Sequence, residues 1–204
     1  MPKNNLIIIF TRNPELGKVK TRLAKTIGDE SALNIYRFLL EHTEKVIRNI
    51  DSDKAVYYSV SIRSNDMWQD DLYLKYKQDG NDLGERMLNA FQNAFNDNYD
   101  KVIIVGSDLF DLEEKHIQSA FNALDNNDVV IGPAEDGGYY LLGMKTLHAK
   151  VFQNKQWGTE TVFNDTIDDL KNESVFLLDE LNDVDTYDDI KNNKTLKNFI
   201  LQND

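Results

Sequence analysis

The stretch Thr11 to Lys25 carries Arg12, Lys18, Lys20, Arg22 and Lys25 against the single acid Glu15, a local balance of +4 in a chain whose net charge is −12. Cationic side chains around Gly17, where backbone N–H groups become available, make a cradle for phosphate oxygens, because charge-assisted hydrogen bonds to phosphate are short and strong. A P-loop is excluded: Arg12 stands where the first glycine of that motif belongs, and Val19 follows Lys18 where Ser or Thr is required. The competing reading is a solvated basic loop capped by the helix that follows.

A second chemistry needs carboxylates. Asp108 follows Lys101 to Val105, Gly106 and Ser107, which sets it at the carboxyl tip of a strand. Mg2+ or Mn2+ accepts one or two such hard oxygen ligands and fills the remaining positions with water and substrate phosphate. A helix N-cap is the alternative for Asp108, and Asp111 competes for that place. Further on, Thr186 and Asp189 are spaced as a capping box, which leaves Asp185 to face the same cation.

Three other stretches are candidates for substrate contact. In Ile131 to Gly143 a strand-like run breaks at Gly132 and Pro133 and resumes at Tyr139 after Glu135, Asp136, Gly137 and Gly138. That composition reads as a pocket floor with Asp136 as a base, or as a hairpin turn. Around the start of a helix, Gly80 and Gly84 flank Asp82, and Arg86 lies in the first turn. Those glycines would let backbone approach a base or ribose, with Asp82 as the cap. Trp157, with Gly158 and Thr159 beside it, could form a stacking wall, or simply be partly buried. His42, His116 and His148 form no catalytic signature and receive no role.

These residues must be positioned by a fold. Short apolar runs at Leu6 to Phe10, Ala55 to Val60, Lys101 to Val105, Asp128 to Ile131 and Ser174 to Leu178 read as buried strands. Helical spacing fills Ser31 to Ile50, Leu83 to Phe95 and Lys115 to Leu124. Alternation of the two predicts an α/β chain with a mainly parallel central sheet and helices on both faces, binding its ligand at the carboxyl ends of the strands. At 204 residues, 1–204 reads as a single domain. Thirty-five acidic residues disfavour a nucleic-acid partner, and the lack of cysteine excludes thiolate metal sites and cysteine nucleophiles. No run suffices to insert into a membrane, so a cytoplasmic location is expected.

Taken in order, Lys-Val-Lys-Thr-Arg-Leu-Ala at 18–24, Gly-Asn-Asp-Leu-Gly-Glu-Arg-Met at 80–87, Gly-Ser-Asp at 106–108, Gly-Pro-Ala-Glu-Asp-Gly-Gly-Tyr-Tyr-Leu-Leu-Gly at 132–143, Trp-Gly-Thr at 157–159 and Asp-Val-Asp-Thr at 183–186 resemble one family. It is that of the small GT-A-like glycosyltransferases, also described as radical-SAM/selenodomain-associated transferases. The resemblance implies a nucleotide-diphospho-sugar transferase fold, shared with nucleotidylyltransferases of molybdenum-cofactor and coenzyme F420 synthesis. It further implies that Arg12, Gly17, Lys20 and Arg22 hold nucleotide phosphates, that Gly80, Gly84 and Arg86 shape the nucleoside side, and that Asp108 and Asp185 share Mg2+ or Mn2+. Asp136, Gly137, Gly138, Tyr139, Trp157 and Thr159 would line the acceptor pocket. Two departures from the family pattern stand out: Phe110 replaces a proline, and Gly158 stands where Ser is common.

The expectation is therefore a metal-dependent glycosyltransferase taking a nucleotide-sugar donor and a small-molecule acceptor. The alternatives are a nucleotidylyltransferase that releases pyrophosphate and a non-catalytic nucleotide-binding module. Extra Arg or Lys facing the acceptor would favour nucleotidylyl transfer, whereas an uncharged aromatic wall of Tyr139, Tyr140 and Trp157 would favour glycosyl transfer. Lys20 and Arg22 are both expected to be exposed, so that losing either weakens binding and spares stability.

Overall fold

A computed structural model describes residues 5–200. Its centre is one seven-stranded sheet made of β1 (Asn5–Thr11), β2 (Asp53–Tyr58), β3 (Leu74–Lys77), β4 (Lys101–Gly106), β5 (Val129–Pro133), β6 (Tyr139–Met144) and β7 (Val175–Leu177). The spatial order is β3-β2-β1-β4-β6-β5-β7. All neighbours are parallel except β6, which runs antiparallel to both β4 and β5. The expected mainly parallel sheet is present, with one reversed strand near its middle.

Both faces of the sheet are covered, which is why the central strands read as continuous apolar runs rather than as alternation. Ile7, Ile9, Val56, Ile103 and Val105 point to one face, where they pack with Tyr36 and Leu40 of α2 (Asp29–Ile47) and Ile117 of α4 (Glu114–Ala123). Leu6, Ile8, Ala55, Val102 and Ile104 point to the other, beneath Met87 and Phe91 of α3 (Leu83–Asn96) and a short 3-10 helix at Ala149–Phe152. A smaller cluster joins Leu23 of α1 (Thr21–Ile27) and Ile35 and Leu39 of α2 to the C-terminal helices α6 (Tyr187–Ile190) and α7 (Lys194–Lys197) through Ile190 and Leu196.

The helix expected over Ser31 to Ile50 begins at Asp29 and ends at Ile47. Gly28, at φ +84°, separates it from α1. Asp82 caps α3 by accepting the N–H of Glu85 at 2.8 Å. At α4 the cap is Glu113, and His116 closes the box by accepting the Glu113 N–H on Nδ1 at 3.0 Å. Neither Asp108 nor Asp111 caps that helix, and His116, given no role from sequence, does capping work.

Candidate active site

The carboxyl ends of β1 and β4 lie side by side, since Ile9 pairs with Val105 and Phe10 with Gly106. The basic loop leaves β1 and the Ser107-Asp108 tip leaves β4, so both open into one cleft of about 900 Å³. Arg12, Lys20, Arg22, Arg86, Asp108 and Asp185 all line it.

The loop is fixed by buried polar side chains. Asn13, 2% exposed, accepts the Val60 N–H at 2.9 Å and donates to the Ser61 carbonyl at 2.8 Å, tying the loop after β1 to the one after β2. Tyr36 of α2 accepts the Arg12 N–H at 2.9 Å. Gln78 donates to the Tyr57 and Thr11 carbonyls at 2.9 and 3.2 Å. Asn13, Tyr36 and Gln78 line the cleft, and sequence reading passed over them. The available signal was their place as polar residues immediately beyond strand ends or on an apolar helix face. Gly17 sits in the turn where the Lys18 N–H meets the Glu15 carbonyl, at φ +69°. It shapes the turn and does not itself line the cleft.

Lys20 carries the largest surprise. It adopts a left-handed backbone conformation, φ 48° and ψ 43°, just before α1. That conformation is uncommon for a residue with a side chain. Its side chain is only 4% exposed, with Nζ 2.7 Å from Asp108 Oδ2 and 3.0 Å from Asp185 Oδ1. Burial works against the ammonium, but the two carboxylates outweigh it and hold the Lys20 pKa above its ordinary value. The expectation that Lys20 is an exposed surface charge is therefore wrong. Arg22, 66% exposed, does fit that description and reaches Asp185 Oδ2 at 3.4 Å.

Asp185 reaches the cleft because the chain at 183–185 is strapped to the tip of β4. Leu109 bridges Asp183, and the Val184 N–H donates to the Asp108 carbonyl at 3.2 Å. The Asp189 carboxylate, part of the expected capping box, accepts the N–H groups of Asp185 and Thr186 at 2.9 and 2.6 Å. Asp183, another residue sequence reading left aside, also lines the cleft, and its Oδ1 is buried without a hydrogen-bond partner. Burial pushes its pKa up to about 8, with Asp108 adding to the effect and Lys20 opposing it.

Asp108 and Asp185 suit Mg2+ or Mn2+ by donor type, each being a partly exposed carboxylate on the cleft. Among the described residues no group of three or more His, Cys, Asp or Glu is placed to hold a metal unaided. A cation here would draw its remaining ligands from water and substrate phosphate, which is the usual arrangement for magnesium.

Neither the residues expected around the acceptor nor Gly80 and Gly84, expected on the nucleoside side, line this cleft. Gly84 is buried: a Cβ there would lie 2.5 Å from the Phe152 carbonyl oxygen and 2.6 Å from Trp157 Nε1. Its smallness admits Trp157, which packs against the apolar layer beneath α3 instead of forming an open wall. Gly80, at φ +138°, lets the chain pass within contact of Glu85 and Arg86, and its carbonyl accepts from Arg86 Nε at 3.1 Å. At Gly137 a Cβ would meet the Glu160 carbonyl oxygen at 2.3 Å, so the protein's own chain fills the space a ligand was expected to take. Gly138 donates its N–H to Asp136 Oδ1 at 2.9 Å, an interaction that closes the turn. Asp136 itself is exposed, and its charge contributes to the raised pKa of Asp183.

The aromatic side chains turn inward. The Tyr139 hydroxyl is buried, and burial raises its pKa while Thr166 opposes the shift. Tyr140 is 4% exposed and donates to the Asp179 carbonyl at 3.1 Å. Thr159 donates to the Gln156 carbonyl at 2.8 Å, within its own exposed loop. Phe110 points away from the cleft and stacks on Phe38 and His42, with ring centroids 6.1 and 5.9 Å away. Its replacement of a proline is thus a matter of packing. Gly158, at φ +81°, has open space where a Cβ would be, so its backbone angle explains the residue better than any contact.

Residues 43–159 match the family described as "Uncharacterized protein conserved in bacteria (DUF2064)". The 2-phospho-L-lactate guanylyltransferase of Methanocaldococcus jannaschii is 28% identical over 137 residues, which make up 64% of this chain and 56% of that protein. The chain thus spans little more than half the length of that curated relative. Among solved structures, a candidate nucleotide-diphospho-sugar transferase from Desulfovibrio desulfuricans G20 is 34% identical with a TM-score of 0.84, covering 94% of this chain and 90% of that one. The 4-diphosphocytidyl-2C-methyl-D-erythritol synthase of Anaerococcus prevotii shares 12% identity at a TM-score of 0.60, covering 93% of each chain, a likeness of fold. The sheet described above is therefore that of the nucleotide-diphospho-sugar transferases.

Proposed function

We propose that this chain, which belongs to the DUF2064 family, is a nucleotidylyltransferase: an anionic acceptor attacks the α-phosphorus of a nucleoside triphosphate, and pyrophosphate leaves. One observation carries the reading. The cleft is lined by five cationic side chains, Arg12, Lys18, Lys20, Arg22 and Arg86, while Tyr139, Tyr140 and Trp157, the aromatic wall that favoured glycosyl transfer, do not line it: Tyr140 is buried, and Tyr139 and Trp157 pack half-buried against the core. A triphosphate and a phosphate- or carboxylate-bearing acceptor together bring far more negative charge than a nucleotide sugar and a neutral hydroxyl. Those cations, set against Glu15, Asp108, Asp183 and Asp185 in the same lining, would meet the larger load together with a divalent cation on Asp108 and Asp185. The guanylyltransferase activity named for the M. jannaschii relative is of this class.

The geometry suggests how the residues divide the work. Arg12 and Lys18, on the loop beyond β1, and Arg22, in the first turn of α1, would bind the β- and γ-phosphates that leave as pyrophosphate. Preorganised positive charge there stabilises the charge that develops as the α–β bridging bond breaks. Lys20 stays protonated because its pKa is raised, so it contributes charge and does not act as a base. A divalent cation held by Asp108 and Asp185 would supply further charge neutralisation on the phosphates. An acceptor phosphate or carboxylate is already ionised at neutral pH and needs no general base. The exposed Asp136, its Oδ1 engaged by Gly138, is then not required to take a proton.

Glycosyl transfer remains the second reading, favoured by the description of the D. desulfuricans protein. Incubation with each nucleoside triphosphate and a set of phosphorylated and carboxylated hydroxy acids should release pyrophosphate. Release of nucleoside diphosphate from a nucleotide sugar, with no pyrophosphate from any triphosphate, would reverse the assignment.

A further inference from the structure

The ammonium of Lys20 sits where a divalent cation would have to act. It contacts one oxygen of each of the two carboxylates assigned to the cation, at 2.7 and 3.0 Å, on a side chain almost wholly buried. Asp108 and Asp185 come from segments that meet at the tip of β4, and Lys20 bridges their side chains. Two cations cannot share those oxygens without strong repulsion at such range. Among the described residues there is no set of three or more metal-ligating side chains to which the cation could go instead.

We propose that Lys20 is an exchangeable internal cation: it holds Asp108 and Asp185 together, gives them up when a divalent cation binds, and then turns its ammonium to the substrate phosphates. This rests on the reading that Asp108 and Asp185 hold that cation. Lysine suits the task better than arginine, being a compact charge on a flexible four-carbon stem. The loop that carries it, residues 12–20, contains no helix or strand, so the side chain can leave without unravelling a regular element. Arg22 does not substitute for it, lying exposed at 3.4 Å from Asp185 alone. The exchange would couple two events, since phosphate capture by Lys20 becomes available only as the carboxylates receive their other partner.

The test uses Mn2+ alone, without nucleotide, followed by the electron paramagnetic resonance of free Mn2+. Lys20→Met keeps the stem and removes the charge, so its Mn2+ affinity should exceed that of the wild type by roughly tenfold or more, as expected for lifting a like charge within about 4 Å. An affinity equal to or below that of the wild type, or no binding by either protein, would overturn the proposal. Should the variant not fold, the wild type labelled with 15N-lysine gives the same answer. A Lys20 Nζ resonance that moves on adding Mg2+ supports exchange, and one that stays in place in a large excess of Mg2+ contradicts it. Neither readout involves turnover. Pyrophosphate release by the wild type with unchanged Mn2+ affinity in Lys20→Met therefore refutes exchange alone, whereas tighter Mn2+ binding by Lys20→Met with no pyrophosphate release by the wild type refutes only the transferase reading.

Discussion

Lys20 Nζ lies 2.7 Å from Asp108 Oδ2 across 88 residues of sequence, joining the loop beyond β1 to the tip of β4. The basic cradle and the strand-tip carboxylate are therefore one electrostatic unit, and a change at either end is felt at the other. Charge-assisted contacts of this kind contribute about 1.5–3 kcal/mol.

Asp108→Asn removes one of the two carboxylates available to a cation while keeping the shape of the side chain. Nucleotide affinity in the presence of Mg2+ should fall by roughly ten- to a hundredfold, the equivalent of about 1.5–3 kcal/mol. Without Mg2+ the variant should bind at least as well as the wild type, because a negative charge has left the phosphate site. Titration calorimetry with and without the metal checks both; equal affinities in Mg2+ would remove Asp108 from the cation site.

Gly84→Ala separates packing from binding. Its Cβ would press on the Phe152 carbonyl and the Trp157 ring, and overpacking of this kind costs about 1–3 kcal/mol. The melting temperature should drop and Trp157 fluorescence shift to the red, while the folded fraction keeps its nucleotide affinity. A loss of affinity with unchanged stability would return Gly84 to the nucleoside site.

His116 makes stability depend on pH. Burial, assisted by Lys115, lowers its pKa from the ordinary 6.5, and the Glu113 N–H needs an unprotonated Nδ1. A histidine with a depressed folded-state pKa contributes stability that is present above 6.5 and lost as pH falls below it. Denaturant unfolding should show a shallower decline from neutral towards acidic pH for His116→Gln than for the wild type. Parallel declines would show that His116 is indifferent to folding.

Asp136→Asn distinguishes an anionic acceptor from a neutral hydroxyl. With a phosphate-bearing acceptor its turnover should stay within about tenfold of the wild type, where loss of a general base would cost roughly 10²–10⁴. A fall of that larger size in steady-state kcat, with donor affinity intact, would restore the base.

Much of the framework was legible because apolar runs and helical spacing are local properties of the chain. Leu6 to Phe10, Lys101 to Val105 and the α3 pattern needed no tertiary information, and the placement of Arg12 and Asp108 beyond strand ends led to the right edge of the sheet. What escaped depends on pairing across the chain. The apolar run at β6 does not say that it lies antiparallel to β4, and β3 is a short edge strand whose Leu74 and Tyr76 are exposed. Glycines were read as openings for a ligand, but Gly84 and Gly137 make room for Trp157 and for the Glu160 backbone. Charge patterning treats lysine as solvated, whereas the buried Lys20 is paired with Asp108 and Asp185, 88 and 165 residues away.

The central claim is that phosphate-rich substrates meet in this cleft and that an α–β phosphate bond is broken there. It is tested most directly by measuring pyrophosphate with Mg2+ present, each nucleoside triphosphate in turn, and a phosphorylated hydroxy acid as acceptor. The account predicts acceptor-dependent pyrophosphate release that Asp108→Asn lowers by at least roughly tenfold, in line with the loss of a charge-assisted contact. Nucleoside diphosphate release from a nucleotide sugar, with no pyrophosphate from any triphosphate, would contradict it.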